Sequence, residues 1–286
     1  MHFVTQKFSL LLMLLATAGY SFPTVAQTDA PIIASIRKTG EVRVAITSLP
    51  PYMTVSPSGE ATGPNIDLQN MVLKRMGLPP LTAMHMQWDA MIPGILAHQF
   101  DYIGAYLAIT EARCEVLVFS APTYASQAGL FVLPGNPRHL MGVTQLAHSP
   151  DIKVAVVTGS AQEAYVLKQG VKPEQLVRVP DVQAGSATVI GGRVDVFIVS
   201  QFGVPNPEQK GLELVVDEQS PVDGFAIAFR KEDVRFRDAF NEQLRPLLRN
   251  GTIQKLYEKY EGPSGDRVAQ LIAKFTKAGD LVPSCE

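Results

Sequence analysis

Short apolar runs alternate with helical patterns along nearly the whole chain, and this alternation constrains the fold more than any other feature of the sequence. Strand candidates are Val42–Ile46, Leu81–Met86, Phe100–Tyr106, Gly129–Leu133, Lys153–Thr158, Val194–Ser200, Leu212–Val216 and Phe225–Phe229. Several are unbroken Val/Ile/Phe stretches, the pattern of strands covered on both faces. Helical candidates fall between them at 65–76, 90–98, 111–118, 161–169 and 182–190. A longer helix is predicted over 233–249, with Phe236, Phe240, Leu244, Leu247 and Leu248 at helical spacing and a kink at Pro246. Such a chain folds as α/β layers, with helices crossing over sheets.

Helix starts are marked locally. Ser160-Ala161-Gln162-Glu163 reads as a capping box directly after a strand. Asp89, Thr110 and Asp181 read as N-caps. Mid-chain, Pro134-Gly135-Asn136-Pro137 is the strongest turn cluster, and a second crossing is expected around Pro221–Phe225. The predicted organisation is therefore one lobe of 27–134 plus 226–286 and another of 138–224, with crossings near 134–138 and 221–226.

Residues 1–26 read as a cleaved signal peptide. Lys7 supplies the positive start, Ser9 to Gly19 the apolar core and Thr24-Val25-Ala26 the small-residue cleavage site. The apolar run is well short of the roughly 20 residues a spanning helix needs. No cysteine lies near the cleavage site, so the expectation is a free periplasmic protein and not a lipoprotein. That compartment permits a bridge between Cys114 and Cys285 without implying one. Cys114 sits in an apolar helical stretch, where a small buried thiol is the commoner reading, and Cys285 lies in a terminal tail.

With 25 basic and 27 acidic residues, the chain lacks the basic excess of a nucleic-acid surface. The five histidines, at 2, 85, 98, 139 and 148, are scattered and match no metal-ligand spacing, so neither a metal nor a cofactor is expected. There is no nucleophile elbow and no phosphate-binding glycine loop.

What remains is anion-binding potential at two helix starts. Arg113 sits in the first turn after Thr110, where a cation gains little from its own helix dipole. Its planar fork could hold a carboxylate, or it could make a surface ion pair. The Gly159-Ser160-Ala161 turn offers backbone N–H groups, or Ser160 merely caps a helix. Trp88 and Tyr52 stand at strand-exit turns, where ligands bind in open α/β sheets, although core packing accounts for them as well.

The order of segments resembles the periplasmic solute-binding proteins of ABC importers, in the polar amino-acid class known as family 3. The resemblance is carried by Gly40-Glu41-Val42-Arg43-Val44-Ala45, Leu49-Pro50-Pro51-Tyr52, Gly63-Pro64-Asn65-Ile66-Asp67-Leu68 and Trp88-Asp89-Ala90-Met91-Ile92-Pro93. It continues through Phe100-Asp101-Tyr102-Ile103, Ile109-Thr110-Glu111-Ala112-Arg113, Phe119-Ser120-Ala121-Pro122-Thr123-Tyr124 and Gly192-Arg193-Val194-Asp195. Gly251 to Tyr260 (GTIQKLYEKY) closes it, so that about 34–262 are covered.

The resemblance implies a type II fold: two α/β lobes, a two-strand hinge and a ligand in the inter-lobe cleft. It places Arg113 as the ligand-carboxylate arginine and Ala161, after Ser160, as the backbone donor sharing that carboxylate. Leu49 and Trp88 match the side chains that sandwich the solute. Tyr106 and Ala108 fall where many members carry hydroxyls, and Ser200 where α-amino-acid binders carry an aspartate for the ammonium. The segment from Ile109 to Cys114, with Phe119-Ser120 and Phe225 to Asp233, is most similar to the ectoine-binding branch, although Leu49 replaces that branch's acidic residue.

The implied function is capture of a small carboxylate-bearing solute by a monomer and its delivery to an inner-membrane ABC permease. The alternative is a periplasmic enzyme on the same fold, such as a cyclic-carboxylate dehydratase. It would need a placed acid or base, and Glu163 and Asp181 read as helix-start residues instead.

Overall fold

The computed structural model describes residues 30–261 and 264–285; the signal peptide expected at 1–26 lies outside the described residues. The chain begins with α1 (Pro31–Thr39), β1 (Val42–Ile46), a small hairpin of β2 (Thr54–Val55) and β3 (Ala61–Thr62), α2 (Pro64–Arg75), β4 (Leu81–His85) and α3 (Trp88–Leu96). Next are β5 (Tyr102–Ala108), the single turn α4 (Glu111–Cys114), β6 (Leu117–Phe119), β7 (Tyr124–Ser126) and β8 (Ala128–Val132). The middle of the chain forms α5 (Val143–Ala147), β9 (Val154–Val157), α6 (Ala161–Lys168), β10 (Leu176–Val179), α7 (Val182–Ile190), β11 (Val196–Ser200) and β12 (Glu213–Val216). Then β13 (Asp223–Arg230), α8 (Val234–Arg249), α9 (Thr252–Glu261) and α10 (Ser264–Ile272) complete it.

Two sheets organise these elements into the two-lobed α/β architecture that the alternation predicts. The first runs β4-β1-β5-β13-β6, with β7 also paired to β13. Its β4, β1 and β5 are parallel, and β13 returns antiparallel to β5. The second runs β10-β9-β11-β8-β12, where β8 is antiparallel to both β11 and β12. Every residue of β5, β8, β9 and β11 is buried, which accounts for their unbroken apolar sequence.

The first passage between sheets differs from the expected one. β7 ends at Ser126 in the first sheet and β8 starts at Ala128 in the second, so the chain crosses at Gln127, upstream of the proline cluster. An extended chain can leave one sheet and enter another without a turn, so no turn residue marks the place. Pro134–Pro137 instead lies beyond β8, where the Gly135 N–H donates to Glu213 at 2.7 Å. The second passage lies between Val216 and Asp223.

Two local readings also change. The helix expected over 111–118 stops at Cys114, and Leu117–Phe119 pair with the free edge of β13. The open backbone edge outweighs the helical pattern there. Asp89 is not a cap: α3 starts at Trp88, after Gln87, and Asp89 lies in its first turn, where its charge suits the helix dipole. The other starts are capped by side chains. Thr110 accepts from the Arg113 N–H at 3.4 Å, Ser160 from the Glu163 N–H at 3.1 Å and Asp181 from the Ala184 N–H at 2.7 Å. Glu163 completes its turn by accepting the Gly159 N–H at 2.8 Å. Helix α8 runs through Pro246 to Arg249.

Cys114 and Cys285 form a disulfide spanning 171 residues, in place of the buried free thiol favoured from the sequence, because the fold brings the terminal segment against α4. Leu49 and Trp88 pack against the core of the first lobe and against one core of the second, which places both at the meeting of the lobes.

Candidate functional site

Between the lobes lies a cavity of about 50 Å³, room for a few waters. The first lobe contributes Leu49, Trp88, Tyr106, Ala108, Arg113, Tyr124 and Phe225; the second contributes Val157, Ser160, Ala161, Gln162, Val182, Val199, Ser200 and Gly203. The lining is largely apolar and aromatic. No carboxylate lines it, and Arg113 is the one charged side chain among these residues.

Arg113 spans the cleft. One guanidinium nitrogen donates to the Ala108 carbonyl at 2.9 Å, and another to the Gly159 carbonyl of the opposite lobe, also at 2.9 Å. The arginine is half-buried, and one edge reaches an outer cleft of about 980 Å³. Burial pulls its pKa down to about 10, opposed by the nearby Asp223 carboxylate, so it stays charged at neutral pH. A half-buried, charged fork with apolar neighbours is the chemistry that holds a carboxylate.

Other cross-lobe hydrogen bonds hold the two halves together. The Tyr124 and Ser200 hydroxyls lie 3.0 Å apart, and the Tyr52 hydroxyl donates to the Phe202 carbonyl at 2.9 Å. Tyr106 is unusual among the lining residues. Its φ is +53°, and β13 slips register opposite it, between Ala226 and Ala228. This strained geometry turns the ring against the cavity, where it stacks on Tyr124 with centroids 4.8 Å apart. The Tyr257 hydroxyl gives its proton to the Thr123 carbonyl at 3.1 Å and so accepts from Tyr106 at 2.5 Å.

Eight of the ten residues expected from the sequence line this cavity: Leu49, Trp88, Tyr106, Ala108, Arg113, Ser160, Ala161 and Ser200. Two do not. Tyr52 is 2% exposed and packs edge-on against Tyr106 and Tyr124, so it supports the aromatic wall from behind. Gly159 lies in the outer cleft, and its N–H is taken by Glu163. It meets Arg113 through its carbonyl and offers no free donor. The Ser160 N–H is also engaged, by the Val157 carbonyl at 3.1 Å. Ala161 opens α6, where no preceding carbonyl exists for its N–H. Ser200 provides a hydroxyl already shared between Tyr124 and the Phe202 N–H, where an aspartate was the alternative.

Sequence reasoning missed seven of the lining residues (Tyr124, Val157, Gln162, Val182, Val199, Gly203 and Phe225) and also Asp223 in the outer cleft. Gln162 is buried in the cavity wall, and its side-chain nitrogen has no hydrogen-bond partner, so an unpartnered polar donor lines the same cavity as Arg113. The capping-box pattern concealed it as an ordinary first-turn residue. Asp223 lies at the second passage between lobes, beside Arg113 but facing the outer cleft.

Burial pushes the Asp223 carboxyl up to about 6, against the opposing pull of Arg113. A raised acid binds its proton more tightly in the folded chain than in the unfolded one. The folded state therefore loses stability as pH rises from about 4 to about 6, and the penalty is complete above that range. Asp223→Asn is expected to stabilise the protein by about 1–3 kcal/mol at pH 8 and by nothing measurable at pH 4. Urea unfolding across this pH range checks the sign.

The family model for bacterial extracellular solute-binding proteins, family 3, matches residues 42–263. The chain belongs to that family. It is 28% identical over 276 residues to a probable amino-acid ABC transporter periplasmic-binding protein, y4tE, of Sinorhizobium fredii, covering 92% of this chain and 90% of the relative. It is also 28% identical to the lysine/arginine/ornithine-binding periplasmic protein of Escherichia coli, covering 87% and 94%. Among solved structures, EhuB in complex with hydroxyectoine is similar with a TM-score of 0.76 at 28% identity, covering 86% of this chain and 98% of that one. These family 3 relatives bind solutes, and within the described residues no helix of this member is long and apolar enough to cross a membrane.

Proposed function

We propose that this family 3 protein captures a small zwitterionic carboxylate of ectoine-like chemistry in the periplasm and delivers it to an ABC permease. The observation that carries this reading is a cavity with one half-buried arginine and no lining carboxylate. Arg113 takes the solute carboxylate, assisted by the Ala161 N–H and the Gln162 amide. An α-ammonium would be left without an anionic partner, at a heavy desolvation cost. A delocalised cation instead suits the aromatic faces of Trp88, Tyr106, Tyr124 and Phe225. Leu49 and Val182 pack its apolar parts. The similarity to a hydroxyectoine-bound structure points the same way. The solute enters when the lobes part, and it favours the closed form by touching both.

A thermal-shift screen tests the solute class. Ectoine or hydroxyectoine at about 100 times its Kd should add about 2.7 kcal/mol of stability, several degrees in Tm. L-Lysine, L-arginine and L-histidine should give no comparable shift. A shift with those amino acids and none with the ectoines would reject the ectoine-like reading.

A further inference from the structure

The family match ends at residue 263, but the described chain continues to Cys285 and does not leave the fold. After α10, Ala278 and Cys285 are buried, and Leu281 and Val282 pack against the first lobe's core. Asp280 closes the turn that delivers them. Its carboxylate accepts from the Thr276 N–H at 2.7 Å, the Thr276 hydroxyl at 2.8 Å and the Lys277 N–H at 3.1 Å.

The segment then meets the arginine-bearing turn at both ends. Leu281 lies on the bare backbone of Gly224, where a Cβ would come within 2.0 Å of its Cδ1. The Gly224 carbonyl accepts the Ile109 N–H at 2.9 Å, and Ile109 immediately precedes the Thr110 cap. At the other end, Cys285 is bonded to Cys114, the residue after Arg113, and its sulfur lies 3.9 Å from the Thr110 carbonyl. A four-residue helix is a single turn, too short to hold its own shape. Something outside it must fix the direction in which Arg113 points.

We propose that residues 273–285 are a strap that positions Arg113 for the solute, gripping α4 through Leu281 on the hinge side and through the disulfide on the other. This rests on the reading of Arg113 as the carboxylate clamp. Arg113 touches the solute, and the strap acts only through it. Its contribution to affinity should therefore vanish when the guanidinium is removed.

Two variants of the full chain test this, Cys114→Ser/Cys285→Ser and Leu281→Ala, each measured well below its unfolding temperature. Amide exchange followed by mass spectrometry should speed up at Cys114, Glu115 and Val116, whose N–H groups bond back to Thr110, Glu111 and Arg113. Calorimetry with hydroxyectoine as probe should show each variant binding about tenfold more weakly, the usual scale for loosening a group that supports a ligand contact. In an Arg113→Ala background the same changes should alter affinity less than twofold. Unchanged exchange, or equal weakening with and without Arg113, would overturn the proposal and leave the strap a general clamp on stability. The exchange measurement needs no solute. If hydroxyectoine does not bind the unmodified protein, the ectoine-like reading fails and the strap is judged on exchange alone.

Discussion

Replacing Arg113 with alanine is expected to weaken solute binding by about 2–5 kcal/mol, a loss on the order of 30- to several-thousandfold in Kd. The size follows from where the guanidinium sits. It is half-buried, stays charged despite a pKa near 10, and faces a cavity with no other charged side chain. A solute carboxylate that loses this partner remains desolvated between aromatic walls. The alanine variant also loses the bond to the Gly159 carbonyl, one of the links across the cleft. Arg113→Lys separates the two effects, because it keeps the charge and loses the fork that reaches both Ala108 and Gly159. Lysine should fall between wild type and alanine. Isothermal titration with the solute found by screening measures all three, and wild-type affinity in the alanine variant would remove Arg113 from the site.

Much of this site was legible because its positions are set by local chemistry. Thr110 and Ser160 announce helix starts through side chains that accept first-turn N–H groups, and both turns do face the cavity. Trp88 stands at a strand exit, so strand-exit logic reached it too, whereas Leu49 came only from the family resemblance. What was not legible depends on distant partners. Leu117–Phe119 carry a helical pattern, yet become a strand because β13 has an edge to fill. The crossing at Gln127 is silent, since an extended chain needs no special residue to change sheets. Tyr52 shares its position with cavity residues, and only packing against Tyr106 and Tyr124 turns it away from the solute. Gln162 carries no charge to draw notice, and only its unpaired amide in the folded chain marks it. Asp223 looked like hinge sequence until the fold set it beside Arg113.

The disulfide sets the second large expectation. Its cysteines are 171 residues apart, one beside the clamp arginine and one in the terminal segment, and no local pattern could pair them. Closing so long a loop removes many conformations from the unfolded chain; the chain-entropy relation gives about 5 kcal/mol at 25 °C, and native bridges contribute roughly 2–5. Cys114→Ser/Cys285→Ser should therefore lower stability by about that amount. At roughly 2–4 °C per kcal/mol for a chain of this size, Tm should fall by about 5–20 °C. Calorimetry of the variant and of reduced wild type checks it, and the two should agree. The loss should also be nearly independent of salt, because the bridge acts on chain entropy and not through charge. If both melt with oxidised wild type, the tail's buried contacts at Ala278, Leu281 and Val282 suffice to hold it, and the bridge adds nothing to the fold.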